Sequence, residues 1–207
     1  MIRKNYKRKK GDKPQGKRIL IIAEGEVTER EYINRIRGMY RSRSARLSYK
    51  GPGPTSPLEI VNRAIGEMKA EKSKDPYDEV WCVFDADCCN NNGGANALAQ
   101  AATAAKKENI FIAFSNPCFE LWMVLHCEDV VNETSANQIQ QKCSQLGLIK
   151  NKHLCNENIL LENYDQARQR AEKLAANHKN QGHAALHQQN PSSNVYELVE
   201  SIRKAFS

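Results

Sequence analysis

The first apolar segment of the chain reads Arg18-Ile19-Leu20-Ile21-Ile22-Ala23, and it ends at Glu24-Gly25. A short β-branched run without polar alternation is typical of a strand that is buried on both faces, as in parallel sheets. A second run of the same kind, Glu79-Val80-Trp81-Cys82-Val83-Phe84, ends at Asp85. The two runs predict two buried strands, each followed directly by an acidic residue.

Further strands and helices are predicted around these two runs. The apolar patterns indicate additional strands at 46–49 and 110–114, and helices at 28–39, 58–72 and 95–107. Strands that alternate with helices favour a parallel sheet with helices on both faces. We therefore expect an α/β fold with a parallel sheet of about four strands flanked by helices.

The pattern changes after Ser115, where only helical periodicity remains. Four helices are predicted, at about 117–127, 134–147, 163–180 and 192–206. Because no clear linker separates them from the sheet, we expect a single domain over 19–207. Within it, 19–115 would form the sheet core and 116–207 a helical extension, and residues 1–18 would form a separate arm.

Composition limits the class of protein. The chain has 207 residues, of which 40% are hydrophobic and 27% are charged, as expected for a soluble globular domain. No apolar run approaches the ~18 residues that span a bilayer, and the N-terminus lacks the apolar segment of a signal peptide. The seven cysteines form no CxxC pair, which disfavours a secreted disulfide scaffold and a zinc ribbon. The expected location is a reducing cytoplasm.

Positive charge is concentrated at the N-terminus. Residues 1–18 contain nine lysines and arginines and one acid, whereas the whole chain has a net charge of +7, so residues 19–207 sum to about −1. A segment this rich in cations and poor in apolar residues cannot bury enough surface to order itself. We expect a flexible basic arm that contacts the phosphates of nucleic acid, and a solubilising tail is the alternative.

A second basic segment, residues 35–50, contains no acid. Its first four arginines are predicted to contact a nucleic-acid substrate: Arg35, Arg37, Arg41 and Arg43. Tyr40 and Tyr49 lie within the same segment and could stack on bases. The alternative is a solvated helix end and loop.

Acidic residues occupy the positions where open parallel sheets place their active residues, just beyond the carboxyl ends of the strands. Glu24 follows the first strand, Asp85 and Asp87 follow the third, and Glu29 lies about one turn into the first helix. If the two strands are neighbours, the four carboxylates converge on one crevice, where repulsion raises their pKa values unless a cation binds. Oxygen ligands of this kind suit Mg²⁺ or Mn²⁺. Helix caps and ordinary surface charge are the alternative.

Two motifs together resemble the Toprim domain, which topoisomerases, bacterial primases and OLD-type nucleases share. They are Ile21-Ile22-Ala23-Glu24-Gly25 and Val83-Phe84-Asp85-Ala86-Asp87. Over nearly its whole length the chain is also similar to the RloB family. That similarity includes the basic arm and four segments: Glu24–Glu29, Phe84–Asp87, Ser115–Trp122 and Asn190–Val195.

The resemblance implies a Toprim-like fold and a small nuclease that uses Mg²⁺ or Mn²⁺ as the effector of a bacterial antiphage system. Family members are encoded beside an ABC-type or AAA-like ATPase, RloA, and this chain has no Gly-x-x-x-x-Gly-Lys-Ser/Thr motif of its own. RNA, with tRNA as one candidate, is slightly favoured over DNA as the substrate, and a homo-oligomer is compatible with the pattern. The alternative is a non-catalytic nucleic-acid-binding or regulatory subunit of the same ATPase complex.

The resemblance also implies roles for individual acids. Glu24, Asp85 and Asp87 would be catalytic, with Asp85 and Asp87 holding the metal and Glu24 acting as a further ligand or as the general acid/base. Glu29 and Glu120 match the positions of additional metal ligands. Each of these two would equally serve to cap a helix or to hold an arginine.

Three further features concern the substrate. Ser115 matches a position beside the metal site in OLD-like nucleases, and His187 is a candidate phosphate contact. Asn190–Ser193 would present amides and hydroxyls to a phosphate or simply cap the last helix. In one respect the chain departs from its relatives, because many of them have a charged residue between or soon after the two aspartates, where this chain has Ala86.

Overall fold

The computed structural model describes residues 16–25, 27–40, 45–51, 56–71, 75–86 and 94–206. The main sheet consists of β1 (Arg18–Ala23), β2 (Arg46–Lys50), β3 (Glu79–Asp85), β4 (Phe111–Asn116) and β7 (Ser192–Ser193). The strands lie in the order β2-β1-β3-β4-β7, and the first four are parallel. The predicted α/β class is therefore confirmed, with β7 as an additional antiparallel strand at the edge.

Helices follow or connect most of these strands. Those of the first half of the chain are α1 (Thr28–Met39), α2 (Pro57–Glu71) and α3 (Gly94–Lys107). Those of the second half are α4 (Glu120–Val124), α5 (Ala136–Gln145), α6 (Glu157–Glu162), α7 (Tyr164–Asn180) and α8 (Val195–Phe206). The predicted helix at 117–127 is thus shorter than expected, and the one at 163–180 is preceded by a separate short helix.

Two layers of helices cover the sheet, and the side chains of β1 show why. Ile19 and Ile21 pack into the layer that contains α1, α4, α5, α7 and α8, whereas Leu20 and Ile22 pack against α2 and α3. Successive side chains of a strand point to opposite faces. An apolar run without alternation is therefore what a strand with both faces covered requires.

The prediction that only helices follow Ser115 was wrong in two places. The first is a hairpin of β5 (Ile149–Lys150) and β6 (His153–Leu154), whose turn residues Asn151 and Lys152 have φ angles of 51° and 67°. Strands of two residues show no periodicity in the sequence. The hairpin is instead attached to α1, because the Glu31 carboxylate accepts a hydrogen bond from Leu154 N (2.8 Å).

The second place is the start of the predicted helix at 192, where Ser192 and Ser193 form β7 and α8 begins only at Val195. The amide of Asn194 completes the pairing with β4. Its Oδ1 accepts a hydrogen bond from Phe114 N (2.6 Å), and its Nδ2 donates to Ile112 O (3.0 Å). The edge of β4 needs partners for its backbone groups, and this tertiary requirement overrides the local helical pattern.

Two cations that the sequence placed in the basic arm take part in the fold. Lys17 forms an ion pair with Glu79, and Arg18 is the first residue of β1 and lies 3.3 Å from an oxygen of Asp75. The other seven cations of the arm lie outside the described residues. Within the described part of the chain, no helix has the length and apolar character needed to span a membrane.

Candidate active site

The carboxyl ends of β1 and β3 lie side by side at one edge of the sheet. Ala23 is the register partner of Val83, and the backbone amide of Glu24 donates to Val83 O (3.2 Å). Glu24 and Asp85 therefore leave neighbouring parallel strands at the same edge. The acids at the two strand ends can converge only if the strands are neighbours, and this pairing meets that condition.

Four acids line one pocket of about 440 Å³ at this edge. They are Glu24, Glu29, Asp85 and Glu120. Glu29 comes from the first turn of α1, and Glu120 is the first residue of α4. The structure thus brings together four of the five predicted metal ligands, and the fifth, Asp87, lies outside the described residues.

Gly25 allows the Glu29 carboxylate to approach the end of β1. A Cβ atom at residue 25 would lie 1.9 Å from both carboxylate oxygens of Glu29, so any other residue here would force the carboxylate to move. The carbonyl of Gly25 is held from the other side, since it accepts a hydrogen bond from the Tyr49 hydroxyl (2.7 Å). The Glu-Gly pair at the end of β1 therefore supplies one acid and makes room for another.

Electrostatics in the pocket favour the protonated form of Glu29. Burial raises the pKa of Glu29 from 4.5 to about 7, and the negative charges of Glu120 and Glu24 add to the rise. A hydrogen bond from its own backbone amide and the charge of Lys152 act in the opposite direction. Burial also raises the pKa of the Tyr49 hydroxyl, with a smaller contribution from Glu29.

Asp85 has a structural bond as well as a place in the pocket. Its Oδ2 accepts a hydrogen bond from the backbone amide of Phe119 (2.9 Å), immediately before α4. This bond ties the end of β3 to the segment that carries Glu120, a residue only 8% exposed. One oxygen of Asp85 therefore has a structural partner in the backbone just before α4.

The donor chemistry of the pocket fits a hard divalent ion, because every acidic donor is a carboxylate oxygen. Within residues 16–25, 27–40, 45–51, 56–71, 75–86 and 94–206, no three His, Cys, Asp or Glu side chains stand at mutual distances suited to a shared metal ion. Asp87 is not in those ranges. The fit therefore rests on the type of donor and on the shared pocket.

The pocket also contains residues that the sequence analysis did not single out, of which Lys152 is the most informative. It lies in the turn of the β5–β6 hairpin, and its carbonyl accepts a hydrogen bond from the Thr28 hydroxyl (2.9 Å). The sequence offered only a weak turn signal at Asn151-Lys152. Nothing local indicates that this turn reaches the end of β1, since the contact depends on how the hairpin packs on α1.

The predicted substrate contacts that the structure describes do not line this pocket. Arg35 forms an ion pair with Glu157 (2.8 Å), and Arg37 is exposed on the last turn of α1. Ser115 is 1% exposed, and its hydroxyl lies 3.1 Å from the hydroxyl of Ser193. The remaining candidates are His187, which lines a second cavity, and Arg41 and Arg43, which lie outside the described residues.

The raised pKa of Glu29 predicts a pH-dependent stability for the metal-free protein. The group has a pKa of 4.5 in the unfolded chain and about 7 when folded, so the folded state binds the proton more tightly. The free energy of unfolding should therefore fall as the pH rises from 4.5 to 7, by about 3 kcal/mol from this residue. Glu29→Gln should remove that part of the fall.

Urea unfolding in EDTA, repeated across this pH range, measures the effect. The matched control is Glu133→Gln, at an exposed position, which should keep the wild-type pH profile. Equal slopes for wild type and Glu29→Gln would show that Glu29 titrates at its ordinary value.

Comparison with known proteins adds family membership to this geometry. No curated protein and no solved structure matches the chain. The family described as RloB-like protein matches residues 19–202, a range that contains β3, all of β1 except Arg18, and all four acids of the pocket. With this match over nearly the whole chain, the protein belongs to the RloB family.

Proposed function

We propose that this protein is a nuclease that hydrolyses phosphodiester bonds with the help of Mg²⁺ or Mn²⁺. The observation that carries the proposal is the convergence of Glu24, Glu29, Asp85 and Glu120 on one pocket at the carboxyl edge of a parallel sheet. That edge is where open α/β sheets bind their ligands. Acids collected in one pocket repel one another, and a bound cation relieves the repulsion.

Glu24, Asp85 and Asp87 would hold the metal, and Glu29 and Glu120 would complete a second site. A bound ion of this kind activates water and neutralises the charge that builds on the phosphoryl group. The hydrogen bond from Phe119 N orients the Asp85 carboxylate, and the hydrogen bond of Glu24 N to Val83 O holds the backbone beside it.

Lys152 would contact the phosphate that is cut. It contributes positive charge to a pocket that otherwise contains four acids. Its position is supported on both sides of the turn, because Thr28 binds its carbonyl and Glu31 binds Leu154 N. The ammonium group of a lysine held in this way would lie next to the phosphate oxygens.

The substrate is proposed to be a nucleic acid, with RNA, and tRNA among RNAs, slightly favoured over DNA. The basic arm and the arginines of α1 would contact its backbone. Through its family, the protein is further proposed to act in the cytoplasm as the effector of an antiphage system beside an RloA-like ATPase.

A second candidate function is a non-catalytic nucleic-acid-binding subunit of the ATPase complex. It is favoured by the hydrogen bond that Asp85 accepts from Phe119 N, since this bond gives the aspartate a structural role. The two candidates differ in whether the pocket acids are needed for cleavage or only for folding.

Neutral variants of the pocket acids separate these two functions. Glu24→Gln, Asp85→Asn and Asp87→Asn should each lower Mg²⁺-dependent cleavage at least about 100-fold. Asparagine at residue 85 keeps an oxygen that can accept the Phe119 hydrogen bond, so the fold is expected to survive. Cleavage of labelled RNA and DNA is the measurement, with urea unfolding of each variant as the check of folding.

The exposed-site variant Glu133→Gln should cut like the wild type. If the three neutral variants remain folded and also cut like the wild type, the site assignment is wrong. A wild type that binds nucleic acid but does not cut it with any divalent ion favours the second candidate.

Two lysines of the same hairpin provide a test of the phosphate contact. Lys152→Ala should lower the cleavage rate about 100-fold, because it removes the cation from the acid pocket. Lys152→Arg should recover part of the loss. Lys150 is exposed on β5, and Lys150→Ala should leave cleavage within about twofold of the wild type. Equal rates for the two alanine variants would argue against a role for Lys152.

The choice between RNA and DNA is tested in cells. The protein is induced with and without its neighbouring ATPase, and the 5′ and 3′ ends of cellular RNA are sequenced. New RNA ends that disappear in the Asp85→Asn strain, with an intact chromosome, are expected. Degraded DNA with intact tRNA would overturn the preference for RNA.

A further inference from the structure

A second cavity, of about 350 Å³, lies directly beside the acid pocket. Its wall begins at Ala86, the residue after Asp85, and includes Pro117, the residue before Cys118 of the acid pocket. The first turn of α5 joins the two spaces, since Ala136 lines the cavity and Gln140 lines the acid pocket. Four residues of helix correspond to about 6 Å, so the two spaces are immediate neighbours.

The two spaces differ in chemistry. The acid pocket contains four carboxylates and a lysine, whereas none of the described residues that line the cavity is an Asp, Glu, Lys or Arg. The cavity walls are small or apolar at Ala86, Ala95, Leu98 and Pro117. The rest of the described lining is mostly polar but uncharged, and this combination suits a flat ring with hydrogen-bonding groups at its edge.

Among the polar residues that line the cavity, Asn116 offers a directional contact. Asn116 is 4% exposed, and its Nδ2 lies 3.4 Å from Leu186 O and 3.5 Å from His187 O. Among the described residues, no donor is bonded to its Oδ1. Because Asn116 lines the cavity, this oxygen is a candidate acceptor for an incoming N–H group.

The cavity also has a side chain at its edge that can contact a ring. His187 is exposed and lines the cavity, and its imidazole makes no hydrogen bond with the described part of the chain. An imidazole can stack on a nucleobase or donate to it. His187 is a predicted phosphate contact, but the described lining of this cavity contains no lysine or arginine beside it.

We infer that this cavity binds one nucleobase of the substrate, next to the phosphate that is cut in the acid pocket. The part of this inference that concerns the cut phosphate rests on the proposed nuclease function. The base would pack against Ala86, Pro117 and Ala136, and one of its N–H groups would donate to Asn116 Oδ1. Enzymes that take up a single base in this way read it by stacking and by hydrogen bonds to its edge. The cavity would thus give the enzyme a base preference at one position beside the cut.

The test measures base binding without cleavage. The full chain is titrated in EDTA with each of the four ribonucleoside 5′-monophosphates, and binding is followed by calorimetry. Because the phosphate is common to all four, differences report the base. We expect one nucleotide to bind at least about tenfold more tightly than the others.

Three variants localise the binding. Ala136→Leu fills the cavity and should lower the affinity for the preferred nucleotide at least about tenfold. His187→Ala, at an exposed position, should weaken the same binding. The matched control Asn137→Leu places the same side chain at the next, exposed residue of α5 and should bind like the wild type. Equal binding of all four nucleotides, or wild-type binding by both cavity variants, would overturn the inference.

A cleavage assay on random-sequence RNA and DNA keeps the two proposals apart. Cut ends enriched in the preferred base at one position, with the enrichment lost in Ala136→Leu, support the cavity as part of the nuclease. Cleavage without any base preference overturns the cavity proposal and leaves the nuclease intact. Selective nucleotide binding without cleavage supports the cavity as a base site and counts against the proposed nuclease function.

Discussion

The parallel pairing of β1 with β3 is the interaction on which the candidate active site depends. It places Ala23 opposite Val83, so that Glu24 and Asp85 leave the sheet at the same edge. Both faces of β1 are buried, with alternate side chains packed into two different helical layers. A slip of one residue would exchange the two faces and move the strand ends relative to each other, so burial on both faces also fixes the positions of the acids.

Helix α1 connects this edge of the sheet to the C-terminal half of the chain. Within its first turn, Glu29 points into the acid pocket, while Thr28 and Glu31 bind the β5–β6 hairpin. A single helical turn therefore supplies an acid and positions the lysine that partly neutralises it. The same connection explains why burial raises the pKa of Glu29 while Lys152 limits the rise.

The site combines a charged pocket with a cavity whose described lining is uncharged, and adjacent residues of the chain line the two spaces. In each of the segments 85–86 and 117–118, one residue lines the acid pocket and the other lines the cavity. The hydrogen bond from Phe119 N to Asp85 holds the two segments together. In the proposed nuclease, chemistry at the phosphate and recognition of the base would thus be set by the same short connections. The sheet edge completed by β7 and Asn194 supports Ser115 and Asn116 from behind, through the pairing of both with Ser193 and Ser192.

The sequence by itself determined the buried parallel strands, the order of the first six elements and the identity of the acids at the strand ends, because periodicity and strand-end position are local properties. It did not determine the β5–β6 hairpin, the short strand β7 or the position of Lys152. The hairpin and β7 consist of two-residue strands, and Lys152 is a single residue in a turn, so no periodic pattern in the sequence marks any of them. Their positions depend on partners distant in the chain, namely Glu31 for the hairpin and the edge of β4 for Asn194. Only the folded chain satisfies those hydrogen bonds, and so only the tertiary structure decided where these residues lie.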